Sequence, residues 1–348
     1  MKPKVSVIVL NYNGRSKLGP LLDECINSTI NQTYENIEVL FVDNGSTDDS
    51  HKYVEAKYGD RVRVIRFDRN YGFALGNNLA TRFVSRDSEY LLLLNPDAVL
   101  DPDYVEVIVD FMEKNKEVGV AQGVQVFMDG SLVSLGGYVD SYGRGVELIL
   151  KSFVPRLPMM VLWASGSAMV VRRRLFDELG GFSPELFLYH DEIDLCSRVW
   201  LKGYTVASVP FTKYRHLRGG LVRDVNWVGW YFANRNRWLT TIRYMPLKNV
   251  LSSLLVALPL DFIINAIKST RRRERLRILL YARILMFLAR RLSENLRKRV
   301  GDASNLAKLI ISVRSPLSKE RDALARVPQV MSEVVWRSAR PDNFVSTW

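Results

Sequence analysis

Five short apolar runs rich in β-branched residues recur through the first 210 positions: Val5 to Leu10, Ile37 to Val42, Val62 to Phe67, Tyr90 to Leu94 and Val118 to Phe127. Each is separated from the next by a longer stretch with helical spacing or by a turn cluster. The helix-like stretches are Leu18 to Ile30, Ser46 to Tyr58 with Ser46 as a plausible N-cap, Phe73 to Ser85, and Pro102 to Lys114 with Pro near its first turn. Continuous apolar strands alternating with helices predict a mostly parallel sheet covered on both faces. Such sheets bind ligands outside the carboxyl ends of their strands, so the polar tripeptides that end each run become the candidate chemistry.

Those ends are Asn11-Tyr12-Asn13-Gly14, Asp43-Asn44-Gly45-Ser46, Arg69-Asn70-Tyr71-Gly72 leading to Gly76-Asn77-Asn78, and Asn95-Pro96-Asp97. Any one of them reads equally well as turn chemistry. Four in series along one sheet edge are harder to dismiss. No G-x-G-x-x-G follows the first strand, which removes the main support for a dinucleotide site. Asn11 to Arg15 has a single glycine, so it is also not the Gly-rich basic loop a nucleotidyltransferase would want.

The chain has 348 residues, a length suited to about two domains, and a net charge of +12. As one number that charge suggests nucleic acid, but residues 1 to 200 carry 21 basic and 28 acidic side chains and the remainder 28 basic and 9 acidic. An acidic half joined to a basic half fits a catalytic domain with a docking segment better than an evenly basic nucleic-acid binder. We place the boundary at residues 1–220 and 221–348. Cys25 and Cys196 are too few for a disulfide scaffold. Met1 to Lys4 run straight into a short apolar strand and do not resemble a signal peptide, so a cytoplasmic protein is expected.

Seven segments in order, VSVIVLNYNG, VDNGSTDDS, RNYGFALGNN, LLLLNPDA, WASGSAMVVRR, GGFSPELFLYHDEIDLCSR and the terminal His216, make the chain resemble the family 2 glycosyltransferases of the GT-A fold, particularly their rhamnosyltransferase-like branch. The resemblance runs from Val5 to about His216, and more loosely through Asn234-Arg235-Asn236-Arg237. It implies a Rossmann-like α/β nucleotide-diphospho-sugar transferase domain. It assigns Asp43 to the imide N–H of uracil or thymine, with Asn11, Asn13, Asn70 and Asn77 about the nucleotide. The alternative for Asp43 is an Asx-turn capping the next helix.

Asn95-Pro96-Asp97 stands where the family carries D-x-D. Asp97 is the available carboxylate for Mn2+ or Mg2+, His216, expected to follow a strand over Thr205 to Val209, a further ligand by resemblance, and Asn95 a neutral replacement for the first acid. Trp163, Ser165 and Gly166 precede an apolar strand and could meet the sugar, or Trp163 could be core. The Gly- and Pro-rich stretch 128–160 predicts a mobile loop over donor and acceptor. Arg172 to Arg174 could meet phosphate or open a solvated helix.

Asp191-Glu192-Ile193-Asp194 is the most chemically loaded segment. Acids at a helix N-terminus are favoured by the macrodipole, and Asp194 with Arg198 makes an i,i+4 pair, yet three carboxylates exceed what capping needs. By resemblance the pair Asp191-Glu192 holds the general base of an inverting transfer, with Glu192 preferred over Asp191. Asp194 would orient the loop or helix.

In the basic half, Trp227, Trp230, Tyr231, Phe232, Trp238 and Tyr244 interleave with Arg235, Arg237 and Arg243. Such a mixture suits stacked bases or a headgroup zone. Val250 to Ile267 is apolar at the lower limit for a span, and Arg271 to Arg277 with Ile278 to Leu292 follow. This predicts an interfacial or re-entrant helix pair attracted to an anionic membrane surface, peripheral or interfacially anchored at the cytoplasmic face. The reading as a whole is transfer of a hexose or deoxyhexose, rhamnose among the candidates, from a UDP- or dTDP-sugar to a glycan or lipid-linked acceptor, with no nucleic-acid partner. The alternative from another class is a protein of the same fold that has lost transferase activity and serves as a membrane-attached or nucleic-acid-binding protein.

Overall fold

A computed structural model describes residues 2–130, 132–150, 155–217, 226–271, 275–299, 304–307 and 309–311. From the N-terminus, β1 (Lys4–Asn11), α1 (Gly14–Leu18), α2 (Pro20–Ile30), β2 (Ile37–Asp43), α3 (Ser50–Tyr58), β3 (Arg63–Arg66), α4 (Gly72–Ala80) and β4 (Ser88–Leu94) form the parallel half of the sheet. There follow β5 (Ala98–Leu100), α5 (Tyr104–Lys114), β6 (Val118–Phe127), β7 (Val133–Asp140), β8 (Gly145–Leu150) and β9 (Met159–Met160). Then come β10 (Ala168–Arg172), α6 (Arg173–Glu178), α7 (Asp191–Leu201) and β11 (Thr205–His216). The sheet order is β7-β6-β10-β4-β1-β2-β3. β1 runs parallel to β2 and β4, and β10 runs antiparallel to β4 and β6.

Period-two alternation divides the strands between two cores. Val5, Val7 and Val9 of β1 pack with Leu22, Ile26, Phe41 and Leu92 on one face, against α2, α3 and α5. Ile8 and Leu10 pack with Leu40, Leu91, Leu93 and Ala74 on the other, continuous with Ile193, Leu195 and Trp200 of α7. Burial on both faces explains why these strands read as unbroken apolar runs.

Three expectations are corrected. Residues 128–160 are not a structureless loop: β7 and β8 pair antiparallel within them, with Ser131 and 151–154 outside the described residues. Gly136 and Gly137 hid the alternation, because each lies where a Cβ would strike Trp163. Ser46 does not cap α3, which begins at Ser50 behind Asp49; its hydroxyl instead accepts the Asn13 amide at 2.9 Å. His216 ends β11 rather than following it, its register partner on β5 being Ala98.

Beyond the sheet, α8 (Asn226–Tyr244), α9 (Leu247–Ser252), a π-turn at Ser253–Ala257, α10 (Leu258–Arg271) and α11 (Arg275–Arg297) build a helical unit. Its core joins Leu186 from the sheet domain to Trp238, Leu239, Ile242, Tyr281, Ile284 and Leu288. The π-turn takes up the break imposed by Pro259, which lacks an N–H. Leu247–Ser269 is one helix, 23 residues long, with the length and apolar composition to cross a membrane, and only 22% of its most apolar window is buried. Arg272 and Arg273 of the expected basic cluster lie outside the described residues, as does the chain from 312 onward. Arg235, Arg237 and Arg243, expected in a headgroup belt, are buried at 7%, 8% and 3% exposure.

Candidate active site

Register brings the predicted strand ends into one row. Asn11 pairs with Asp43, and the Asn95 amide donates to the Ser167 carbonyl at 3.0 Å, so β2, β1, β4 and the start of β10 meet along one edge. The first two strand ends interlock. Thr47 N donates to Asn13 Oδ1 at 2.8 Å, Asn13 holding a left-handed φ of 57°, and Asn11 Nδ2 donates to Ser46 Oγ at 3.3 Å. Asn70 accepts from Gly72 N at 2.8 Å and from Asn44 Nδ2 at 3.1 Å, and so builds the turn into α4. Asn77 donates to Phe73 O at 3.0 Å within α4.

Asp43 does not cap α3, which begins at Ser50: its Oδ1 accepts Ser46 N, three residues on, at 3.2 Å and so closes the turn after β2, while Oδ2 is buried with no aligned hydrogen bond. His51 Nδ1 lies 3.2 Å from that oxygen but off a hydrogen-bonding angle. Asn11 Oδ1 and Asn77 Oδ1 are also buried without partners. Buried polar atoms are nearly always paired, so unpaired acceptors along a strand edge point to donors that a ligand brings.

Asn95, Asp97 and His216 converge because β5 pairs with the end of β11. His216 Nε2 lies 3.2 Å from Asp97 Oδ1 and 3.4 Å from Asn95 Nδ2, and Leu217 N donates to the Asp97 carbonyl at 3.2 Å. Among the described residues no cluster of three His, Cys, Asp or Glu could hold a metal by itself. One carboxylate, one imidazole and one amide fit a cation whose remaining sites are filled by diphosphate oxygens, as is usual for Mg2+ and available to Mn2+.

Trp163 is core. Its indole N–H donates to Tyr138 O at 2.9 Å and its ring lies against Gly137, so it offers no free face to a sugar. Ser165 and Gly166 instead border a buried polar network. Ser167 Oγ meets Ser165 Oγ at 2.7 Å, Tyr214 OH at 2.8 Å and Gln125 Oε1 at 3.2 Å, while Gln122 Oε1 accepts from Ser165 N. Sequence reasoning missed Gln122 and Gln125. The signal was there: two amides inside the apolar strand β6, which a purely apolar core would not carry. Arg172 is not available to phosphate, since it spans Val118 O, Met112 O and the Tyr90 hydroxyl.

The first turn of α7 divides its acids sharply. Asp194 is fully buried and saturated: Tyr244 OH donates to Oδ1 at 2.7 Å, and Ser183 Oγ and Arg198 Nη2 each donate to Oδ2 at 2.7 Å. It orients the helix, as its spacing from Arg198 suggested. Asp191, 3% exposed, leaves Oδ1 without a partner, and Glu192 beside it is half-buried. Burial pushes the Asp191 carboxyl well above the usual range, and the adjacent Glu192 charge adds to this. Burial also raises Glu192, to about 7, with Glu147 of β8 contributing. Glu192 is thereby held where its proton can exchange near neutrality.

The sequence profile of glycosyl transferase family 2 matches residues 6–180, half of the chain. The chain belongs to that family. This family 2 glycosyltransferase is similar to the N-acetylglucosaminyl-diphospho-decaprenol L-rhamnosyltransferase of Mycobacterium tuberculosis, at 26% identity over 240 residues, covering 62% of this chain and 76% of the relative. It is 27% identical over 202 residues to the rhamnosyltransferase WbbL of Escherichia coli K12, covering 53% and 73%. Among solved structures it resembles GalNAc-T7 with UDP, GalNAc and Mn2+, with a TM-score of 0.55 and 17% identity, over 69% of this chain and about half (48%) of that one. It also resembles S. aureus TarS 1-349 in complex with UDP, with a TM-score of 0.51 and 18% identity, over 72% and 70%. The glycosyltransferase thus has the GT-A fold.

Proposed function

We propose that this glycosyltransferase transfers a hexose or deoxyhexose, rhamnose first among them, from a dTDP- or UDP-sugar to a glycan or lipid-linked acceptor with inversion at the anomeric carbon. The observation that carries the proposal is the pair Asp191–Glu192 at the head of α7, in which Asp191 Oδ1 is buried without a partner and burial raises Glu192 to about 7, in a domain whose strand ends present Asp43, Asn11, Asn95 and Asp97 along one edge. In this mechanism Glu192, sharing its proton equilibrium with Asp191, removes the acceptor hydroxyl proton. The acceptor oxygen forms a bond to the anomeric carbon from the face opposite the diphosphate. The bond from that carbon to the diphosphate oxygen breaks, and the nucleoside diphosphate leaves with the electron pair.

Asp43 Oδ2 accepts the imide N–H that uracil and thymine share, so it serves either nucleotide. Bound Mn2+ or Mg2+ would offset the charge of the leaving diphosphate, held by Asp97 and His216. Support for the sugar and acceptor comes from the relatives, two of which are rhamnosyltransferases and one of which is named for a decaprenol-linked acceptor.

Attachment at the cytoplasmic membrane face is part of the same reading. Leu251, Leu255 and Ile263 of the Leu247–Arg271 rod and Leu279 and Met286 of α11 are exposed apolar side chains on neighbouring helices. Exposed faces of this kind suit an interfacial or membrane-crossing element. The test is a panel of dTDP- and UDP-sugars with Mn2+, scored for donor hydrolysis and for a rise in melting temperature, followed by transfer to a polyprenyl-diphosphate-linked sugar. Turnover of one donor class supports the reading. If no nucleotide sugar is hydrolysed and none shifts the melting curve, the transferase reading fails and a binding role takes its place.

A further inference from the structure

The segment that delivers the acid pair is under backbone strain. Phe187, Tyr189 and His190 hold φ of 63°, 65° and 62°, three non-glycine residues in the left-handed region within four positions. That region is costly for side chains with a Cβ, and such conformations persist only where the surroundings fix them. What fixes this loop is α8. Asn236, fully buried, directs its one amide nitrogen at three carbonyls of the loop: Leu186 O at 2.8 Å, Leu188 O at 2.9 Å and Tyr189 O at 2.8 Å. Its amide oxygen accepts Arg235 Nε at 2.8 Å, which sets the orientation of the amide. Arg235 Nη2 donates to the carbonyls of Glu185 and Leu186. Further along the same helix face, Thr240 Oγ1 lies 3.3 Å from His190 Nδ1, and the rings of Phe187 and Phe232 stack with centroids 5.0 Å apart.

From these contacts we infer that Asn236 is a positioning residue for the acid pair: it holds loop 187–190 in the strained form that sets the first turn of α7, and with it the places of Asp191 and Glu192. A primary amide is suited to this task. It offers donors with no net charge, and it is the donor that the carbonyls of Leu188 and Tyr189 meet inside the protein. Aspartate in its place would turn acceptor toward acceptor, and alanine would leave these two carbonyls short of a donor while Leu186 O kept Arg235. Loop carbonyls that relax would let α7 shift by fractions of an ångström, enough to misplace a base that must reach the acceptor hydroxyl.

This inference rests on the reading of Asp191–Glu192 as the base, so Glu192→Gln is measured alongside. The experiment compares full-length wild type, Asn236→Ala, Asn236→Asp, Thr240→Val and Glu192→Gln for nucleoside-diphosphate binding, for donor KM and kcat, and for the pH profile of kcat. The expected result for the Asn236 variants is a fall in kcat of about thirtyfold or more, with donor KM and nucleotide binding within about threefold of wild type. The acidic limb of their pH profile moves by about half a unit, because the pair's burial and its distance from Glu147 change. Thr240→Val, which keeps the side-chain shape, lowers kcat by a smaller factor with a pH shift of the same sign.

Loss of kcat in step with loss of nucleotide binding would assign Asn236 a purely structural role and overturn the inference. So would folded Asn236 variants with wild-type kcat and pH profile. If the Asn236 variants do not fold, an unchanged Thr240→Val overturns it as well, and a changed one supports it. Wild-type turnover in Glu192→Gln sinks the base assignment itself, whereas an inactive Glu192→Gln beside unaffected Asn236 variants sinks only the clamp.

Discussion

The strand edge and helix α8 both carry polar side chains into the interior, and they treat them in opposite ways. At the strand ends Asn11 Oδ1, Asp43 Oδ2 and His216 Nδ1, and on the helices Asn77 Oδ1 of α4 and Asp191 Oδ1 of α7, are buried without hydrogen-bond partners. On α8 the charged and amide side chains of Arg235, Asn236, Arg237 and Arg243 are spent within the fold, on loop carbonyls, on Asp261 at 2.7 Å and on Glu185 at 2.8 Å, although the Trp238 indole N–H among them is unpaired. Unpaired polar atoms cost stability, and a chain carries them where a ligand will complete them. Satisfied ones hold architecture. The comparison separates residues that do chemistry from residues that place them, and mutation of each kind should leave a different trace.

The largest effect is expected at the acid pair of α7. Glu192→Gln should lower kcat by about 10²–10⁴, the usual contribution of a general base, while donor binding stays near wild type. Its stability should move the other way. The folded-state pKa of Glu192 is raised to about 7, so the native state keeps a proton that the unfolded chain loses near its ordinary value of 4.5. The stabilising contribution is therefore full below pH 4.5 and lost as pH climbs through 7. Glutamine stays neutral throughout, so the variant should melt about 2–4 °C above wild type at pH 8 and equal to it at pH 4, by calorimetry at both pH values. For the same reason wild-type kcat should rise with pH through about 7 as the base loses its proton.

Asp97→Asn should reduce Mn2+-dependent turnover by about tenfold to a hundredfold, read from activity titrated with metal, since it removes the one carboxylate beside His216. Arg243→Met should act by stability, because the guanidinium bridges Glu185 and Asn295. A loss of about 3 kcal/mol in urea unfolding, with kcat per folded molecule kept within severalfold, would sharpen the contrast. The smallest change is Tyr244→Phe, which removes the hydroxyl bonded to the buried, ion-paired Asp194 and should cost about 2 kcal/mol by the same measurement.

Much of the edge was legible from sequence because turn-forming Asn, Asp and Gly after apolar strands mark both a strand end and a ligand edge. Asn95, Asp97 and His216 could be grouped before any coordinates, though their meeting depends on the β5–β11 pairing, which no local pattern encodes. The loop before the acid pair was not legible. Phe and Tyr carry no preference for the left-handed region, and the clamp that forces them there lies some fifty residues onward. The arginines of α8 looked like surface charge for the same reason: composition shows that they are basic, and only packing shows that they are enclosed. The hairpin β7–β8 was masked by two glycines that make room for Trp163, Gly136 for its carbonyl and Gly137 for its ring.

The central claim is that Asp191 and Glu192 at the head of α7 do the proton transfer while Asp194, saturated with donors, does not. Single-turnover transfer from a donor that the wild type accepts, measured for Glu192→Gln, Asp191→Asn and Tyr244→Phe with nucleotide binding as control, tests it directly. The account predicts that chemistry collapses by at least a hundredfold in Glu192→Gln or Asp191→Asn and stays within severalfold of wild type in Tyr244→Phe, with nucleotide bound normally by all three. Near-wild-type chemistry in both acid variants, properly folded and nucleotide-bound, would contradict it.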